Sequence, residues 1–173
     1  MLPEYDYAVC CGDVVGYGTD PEYCIDFIMN NQIPTVKGNH DAMATGECPV
    51  GDHPAVKESM EWTQKKLTDR YKNMLHSLPE HIDFLDLHLI HTLGEKYIYA
   101  REDIDDRCMA ELAVIAKTKI IIGHSHVPFS FEIAGKTVVN PSSITKGRRG
   151  HPRGYVIYDG KNFEFIVLDR IAV

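Results

Sequence analysis

The sequence lacks both an apolar run of about 18 residues, the length that crosses a bilayer, and a basic, apolar leader at its start. These absences predict a soluble, cytoplasmic protein. A basic surplus is also missing, since 18 Lys and Arg residues face 25 Asp and Glu residues, for a net charge of -7. An acidic chain has no general attraction for membrane surfaces or for nucleic acid. An anionic substrate would need a local positive charge, which a bound cation could supply.

Cysteine patterns typical of zinc sites and disulfide scaffolds are absent as well. The five cysteines are odd in number and include no CxxC pair, so we predict reduced thiols that pack in apolar segments. The sequence contains no internal repeat, low-complexity segment or linker, and its 173 residues suit a single domain over residues 1–173. Histidine is in excess, with nine residues, which indicates that some imidazole groups have a functional role.

Two kinds of pattern follow each other along the chain. Buried strands are predicted at residues 7–11, 35–37, 82–91 and 119–122, and helices at 20–30, from Pro54 towards Pro79, and at 107–117. In the first helix Asp20 is the expected N-cap, and Tyr23, Phe27 and Ile28 the expected buried stripe. Two antiparallel hairpins are predicted after that, over residues 129–139 and 155–168. The order predicts an α/β fold whose parallel or mixed sheet is followed by hairpins.

The early strands end in glycine followed by polar residues that can bind a metal. They are Asp13 after Gly12, Asn39, His40 and Asp41 after Gly38, and His124 and His126 after Gly123, while His91 ends its own strand. Ligands of open α/β sheets gather beyond the carboxyl ends of the strands, and these oxygen and nitrogen donors suit divalent first-row metals. Taken singly, each motif has an ordinary explanation as a turn, a strand exit or a core histidine. Their conjunction predicts a metal cluster.

The same motifs resemble those of the calcineurin-like metallophosphoesterases. The order is Gly12-Asp13, Gly38-Asn39-His40-Asp41, the lone His91, and Gly123-His124-Ser125-His126. Gly16-Tyr17-Gly18 and Asn140-Pro141-Ser142-Ser143 are similar to the small bacterial and archaeal phosphodiesterase branch in particular. The resemblance implies an αββα sandwich, here without the first strand and helix of the family.

The resemblance also implies a role for each site residue. Asp13 would bridge two divalent ions (Mn, Fe, Ni or Zn), of which this chain could hold one or both. Asn39, His91 and His124 would hold the second ion and His126 the first. His40 would lie beside the scissile phosphate, oriented by Asp41. The implied reaction is hydrolysis of a phosphodiester or phosphomonoester by metal-activated hydroxide.

One family motif has no counterpart in this sequence. The family's first strand ends in Asp-x-His, which ligates the first metal, and nothing similar precedes Tyr7. Three explanations stay open: a late start of the chain, a reaction that needs one metal, or lost catalysis. If that strand is absent, residues 7–11 become a sheet edge, which favours pairing with another chain and predicts a homo-oligomer.

Two further functions stay open beside hydrolysis. One is a catalytically impaired protein that binds phosphate or nucleotides and keeps a partial metal site, and the other is a structural fragment without metal. The basic stretch over residues 146–153 is either a guide for an anionic substrate or a solvated loop.

Overall fold

A computed structural model describes residues 4–168 of the chain. Its contacts divide the chain into two compact units, one ending at Ile82 and the other beginning at Asp83. None of the helices within residues 4–168 is both long enough and apolar enough to cross a membrane.

The first unit is built mainly of four helices. They are α1 (Pro21–Asn30), α2 (Asn39–Thr45), α3 (Pro54–Lys66) and α4 (Asp69–His76). Their apolar core comprises Val15, Ile25, Ile28, Ala44, Leu67, Leu75 and Leu78. Helix α2 packs against both α3 and α4, so the Gly38-Asn39-His40-Asp41 motif at its start is held from two sides.

Residues 7–11 do not form the predicted buried strand. Cys10 makes one isolated parallel bridge with Thr35, and Tyr7 is 65% exposed. The ladder cannot extend backwards because its next donor would be the backbone nitrogen of Pro34, which carries no hydrogen. It cannot extend forwards because the N–H of Gly38 donates to the carboxylate of Asp41 instead. A hydrogen bond to the Asp41 side chain therefore replaces the next hydrogen bond of the strand pairing.

Helix α1 confirms its predicted bounds and corrects its predicted face. Asp20 stands at the N-cap but makes no side-chain cap bond, and the buried residues are Pro21, Ile25 and Ile28. Tyr23 and Phe27 lie outside, with their rings stacked at 6.2 Å. This helix carries apolar side chains on more than one face, so the sequence pattern is compatible with two different buried faces. The face with Ile25 and Ile28 is the one that packs in the core.

The helical region between residues 39 and 79 is more divided than the sequence suggested. Residues 39–45 form α2, which ends at Gly46 in the left-handed conformation. The helix that begins at Pro54 buries Met60 and Thr63, but it stops at Lys66. Thr68, with ψ of 164°, starts α4 as a separate helix.

The second unit contains a five-stranded mixed sheet. Its strands are β1 (His81–Phe84), β2 (Leu87–Ile90), β3 (Lys119–Ile121), β4 (Phe129–Ile133) and β5 (Lys136–Asn140), in the spatial order β1-β2-β3-β5-β4. Strand β3 is parallel to both β2 and β5, and β4 is antiparallel to β5. The predicted strands at residues 82–91 and 119–122 and the first hairpin are thereby confirmed.

A helix and a second hairpin complete this unit. Helix α5 (Asp106–Val114) buries Cys108 and Leu112, and the strands β6 (Gly154–Tyr158) and β7 (Phe163–Val167) pair antiparallel, as predicted from the turn at Asp159 and Gly160. The core comprises Leu93, Ile98, Cys108, Leu112, Ile120, Ile122 and Val138. The chain thus has the mixed α/β fold predicted, with parallel and antiparallel strands in one sheet.

Candidate metal centre

Asp13 lies in a tight turn of the first unit whose backbone leaves little room. Gly12 and Asp13 both have positive φ, 87° and 54°, and the Asp13 Oδ1 accepts the backbone N–H of His40 at 2.9 Å. A Cβ at Gly38 would overlap the backbone nitrogen and the carboxylate of Asp13. Glycine at position 38 is thus a steric requirement for the position of this carboxylate.

Asp41 is a buried carboxylate that ties the two motifs of the first unit together. Its Oδ2 accepts the N–H of Gly38 at 2.9 Å, and its Oδ1 accepts the N–H of Val15 at 3.2 Å. Burial, and then the charge of Asp13, hold the pKa of the Asp41 carboxyl well above its usual range, although these backbone bonds act the other way. A cation beside the buried Asp41 and the half-buried Asp13 would stabilise the charged form of both carboxylates.

His40 is held by its neighbours in the first unit. The side chain is 3% exposed, and the Tyr17 ring lies 4.9 Å from the imidazole, centroid to centroid. Gly16 has φ of 103°, and a Cβ there would overlap the Nδ1 of His40. The Tyr17 N–H donates to the Ser59 Oγ on α3 at 2.8 Å, which fixes the turn against that helix. Asn39, next to His40, is half-buried at the first position of α2.

In the second unit His91 and His124 follow the ends of the neighbouring parallel strands β2 and β3. The N–H of Gly123 donates to the carbonyl of His91 at 3.0 Å, which continues the pairing up to the histidines. Their rings meet edge to face at 5.2 Å, and a ligand nitrogen of one lies within 4.8 Å of a ligand nitrogen of the other. The parallel sheet places two metal-ligand nitrogens side by side, as the strand-end pattern predicted.

One ring nitrogen of His126 faces the loop that follows β5. Its Nδ1 lies 2.8 Å from the carbonyl oxygen of Lys146, a geometry in which Nδ1 carries the hydrogen and donates it. The Nε2 is then the nitrogen that would bind a metal, and proteins commonly orient a metal-binding histidine in this way. His126 is 8% exposed and is not part of the ligand cluster found among residues 4–168, to which His91 and His124 belong.

Asn140, a residue without a predicted role of its own, braces the loop that carries both histidines. It is fully buried at the end of β5, and its amide donates to the Gly123 carbonyl at 2.5 Å and to the Ser125 Oγ at 3.0 Å. The loop needs such support because His124 and His126 have φ of 66° and 57°. Only its place in the Asn-Pro-Ser-Ser motif drew attention to Asn140 in the sequence.

Tyr97 is a second residue that the sequence did not reveal. Its ring stacks nearly parallel on the His124 imidazole, with centroids 4.0 Å apart and planes 17° apart. A stacked face leaves the in-plane ring nitrogens accessible, so this contact orients His124 without covering its lone pairs. The sequence between residues 91 and 107 showed no regular pattern, and nothing in it connects Tyr97 with a histidine 27 positions later.

The sequence model of the calcineurin-like phosphoesterase superfamily domain matches residues 2–162 of the chain. This chain belongs to the calcineurin-like phosphoesterase superfamily. The match covers nearly the whole sequence and includes every motif on which the resemblance depended.

Proteins similar to this superfamily member occur in several microorganisms. An uncharacterized protein of Methanocaldococcus jannaschii is 26% identical over 187 residues, which is 92% of this chain and 73% of that protein. A metallophosphoesterase from Sphaerobacter thermophilus has a structure similar to this one at a TM-score of 0.72, with 23% identity, over 91% of this chain and 74% of its own. A hypothetical protein from Pyrococcus horikoshii gives a TM-score of 0.68 at 15% identity, over 90% of this chain and 70% of its own. The structure from Sphaerobacter thermophilus confirms the metallophosphoesterase fold.

Members of the calcineurin-like phosphoesterase superfamily typically bind divalent metals, and the donors of this member fit such ions. The second unit offers two adjacent imidazoles, and the first offers the carboxylate of Asp13 beside a second buried carboxylate. Mixed oxygen and nitrogen donors of this kind suit manganese, iron, nickel and zinc alike.

Proposed function

We propose that this protein is a metal-dependent phosphohydrolase that cleaves a phosphodiester or a phosphomonoester. The observation that carries the proposal is the pair of imidazole nitrogens of His91 and His124 within 4.8 Å, at the ends of adjacent parallel strands. Membership of the calcineurin-like phosphoesterase superfamily supplies the reaction class.

The ligand set that we propose is the one that membership of the superfamily implies. Asp13, Asn39, His91 and His124 would hold one divalent ion, and Asp13 with His126 would contribute to a second. A divalent ion held there supplies a nucleophile from water near neutral pH and neutralises the charge of the phosphate oxygens. That charge matters in a chain whose net charge of -7 repels an anionic substrate.

His40 and Asp41 complete the proposed site. We assign to His40 the proton that the leaving oxygen needs when the phosphate ester bond breaks, because imidazole gains and loses a proton near neutral pH. Its backbone is fixed through the bond to Asp13, and Gly16 and Tyr17 fix its ring. Asp41 orients His40 because it holds the backbone of Gly38 and Val15, which lie two residues from His40 and Asp13.

The hydrolysis of bis-p-nitrophenyl phosphate with added manganese tests this function. We expect turnover by the wild-type chain and a loss of about a hundredfold or more in His40→Ala, as for removal of a general acid. His76→Ala is the matched control, because His76 is an exposed histidine of the same unit that pairs with Glu47. Wild-type protein that binds manganese without turnover would instead be a phosphate-binding protein. A chain that binds no manganese would overturn the whole proposal.

We also propose that the chain self-associates through residues 5–11. Tyr5 and Tyr7 are 58% and 65% exposed. Exposed aromatic side chains of this size favour burial against a second copy. Sedimentation velocity at micromolar concentration should give a dimer that Tyr7→Lys weakens, and a sharp monomer boundary for the wild type would refute the proposal.

A further inference from the structure

The basic segment over residues 144–153 has no part in the function proposed above. It contains Lys146, Arg148, Arg149 and Arg153 and no acidic residue, in a chain whose net charge is -7. Four cations so close together in an acidic protein create a local positive field. Whether that field serves a site depends on where the segment is held.

The segment is bonded to the loop that carries His124 and His126. The backbone N–H of Arg148 donates to the carbonyl of His126 at 3.3 Å, and the Nδ1 of His126 meets the carbonyl of Lys146 at 2.8 Å. The guanidinium Nη1 of Arg148 also lies 3.5 Å from the carbonyl oxygen of His124. Arg148 is consequently an immediate neighbour of the metal-ligand loop and not a remote surface cation.

Two tyrosines hold the guanidinium groups of this segment. The rings of Tyr97 and Tyr99 stack with planes 7° apart, the Arg148 Cζ lies 5.4 Å from the centroid of Tyr97, and the Arg149 Cζ lies 3.4 Å from that of Tyr99. Arg149 lies at stacking distance from its ring, and a stacked guanidinium keeps the N–H donors along its edge. Arg148 lies farther from its ring and is also held by its contact with the carbonyl of His124.

Asp103 is an acidic neighbour of Arg149. Asp103 is close enough that the charge of Arg149 contributes to lowering its pKa, but the main cause of that shift is the N–H of Tyr99. The Asp103 Oδ2 accepts the backbone N–H groups of both Tyr99 and Ala100, at 2.7 and 3.0 Å. This carboxylate is committed to the backbone that carries Tyr99, and it orders the tyrosine under Arg149.

We propose that Arg148 and Arg149 bind a second phosphate group of the substrate, next to the one that is cleaved beside His124. The inference rests on the proposed function and names its substrate class, a phosphate ester that carries a further phosphate. Guanidinium forks match the oxygens of a phosphate bidentately, which a hydrated lysine does not. Tyr97 links the two places, because its ring contacts both the His124 imidazole and the Arg148 guanidinium. One face of Tyr97 is covered by His124, which argues against a nucleobase stacked there.

Calorimetric titration of the manganese-loaded protein with two matched ligands tests the subsite. Thymidine 5′-monophosphate has one phosphate and thymidine 3′,5′-bisphosphate has two. We expect wild-type protein to bind the bisphosphate about tenfold more tightly or better, since a charged hydrogen bond is worth at least that factor. In Arg148→Gln and Arg149→Gln the preference should fall to about threefold or less. Arg148→Lys should lose most of it too, because lysine keeps the charge but not the fork.

Arg153→Gln is the control, since it removes one positive charge from the same segment and no ring contact involves Arg153 among residues 4–168. It should keep the wild-type preference. A preference that survives in both Arg148→Gln and Arg149→Gln, or that falls equally in Arg153→Gln, would overturn the subsite. The readout is binding, so a protein without turnover that keeps the arginine-dependent preference would sink the hydrolase proposal and leave the subsite standing.

Discussion

At the scale of single residues, glycine decides where the catalytic candidates lie. Gly16 and Gly38 give space that the side chains of His40 and Asp13 fill. The sequence indicated the candidate site residues because all but His91 follow glycines at strand ends in a characteristic order. It did not predict Tyr97 or Asn140, since their contacts join positions far apart in the chain and their residue types are common in ordinary packing.

Alanine at position 16 tests the steric role of glycine. Gly16→Ala should lower the free energy of unfolding by about 2–5 kcal/mol, because the φ of 103° strains any L residue and the new methyl group meets the Nδ1 of His40. Gly46→Ala separates these two causes, since Gly46 has φ of 83° with no atom near its missing Cβ, and about 1 kcal/mol is expected there. Urea unfolding of both variants provides the comparison. Equal losses would show that the contact with His40 contributes nothing.

At the scale of helices and strands, local chemistry predicted most elements well. Asp20 followed by Pro21 marks the start of α1, and the Asp159 and Gly160 turn marks the last hairpin. The failures have physical causes outside the local pattern. Residues 7–11 carry a strand sequence, but their partner segment contains Pro34 and a diverted Gly38 N–H. Helix α2 was missed because it has only seven residues and its first three belong to the Gly38-Asn39-His40-Asp41 motif.

Helix α5 should show a measurable dependence on pH through its N-cap. The N–H of Cys108, and then Lys96, hold the pKa of the Asp105 carboxyl well below its usual range. A depressed pKa stabilises the folded state above the unfolded-state value of about 3.9, and this contribution is lost as the pH falls through the folded-state pKa. The melting temperature of the wild type should therefore exceed that of Asp105→Asn at pH 7, and the gap should begin to narrow as the pH falls below about 4 towards pH 3.

Asp20→Asn is a suitable comparison for this measurement. Asp20 also stands at an N-cap, but its side chain makes no cap bond, so the substitution should change the melting temperature much less at pH 7. A gap for Asp105→Asn that stays constant between pH 7 and pH 3 would contradict the assigned role of this carboxylate.

At the scale of the whole molecule, an ion held by the proposed ligands should stabilise the folded chain. Manganese at about a hundred times its dissociation constant adds about 2.7 kcal/mol to stability, or roughly 5–10 °C in melting temperature. Differential scanning calorimetry should show this shift in the wild type and in His76→Ala but not in His124→Ala or Asp13→Ala. A shift that persists in Asp13→Ala would contradict the assignment of Asp13 as a ligand.

The pairing of β2 with β3 up to His91 and Gly123 has a consequence for how such a protein diversifies. The two imidazoles follow neighbouring strands of a parallel ladder, whose interstrand distance is about 4.8 Å. Loop changes do not alter that interstrand distance. The arginine-bearing segment lies outside that ladder. The substrate of a related protein can thus change during evolution while the metal-binding histidines stay in place. A chimera that takes residues 144–153 from a relative should acquire a new substrate selectivity with an unchanged metal affinity.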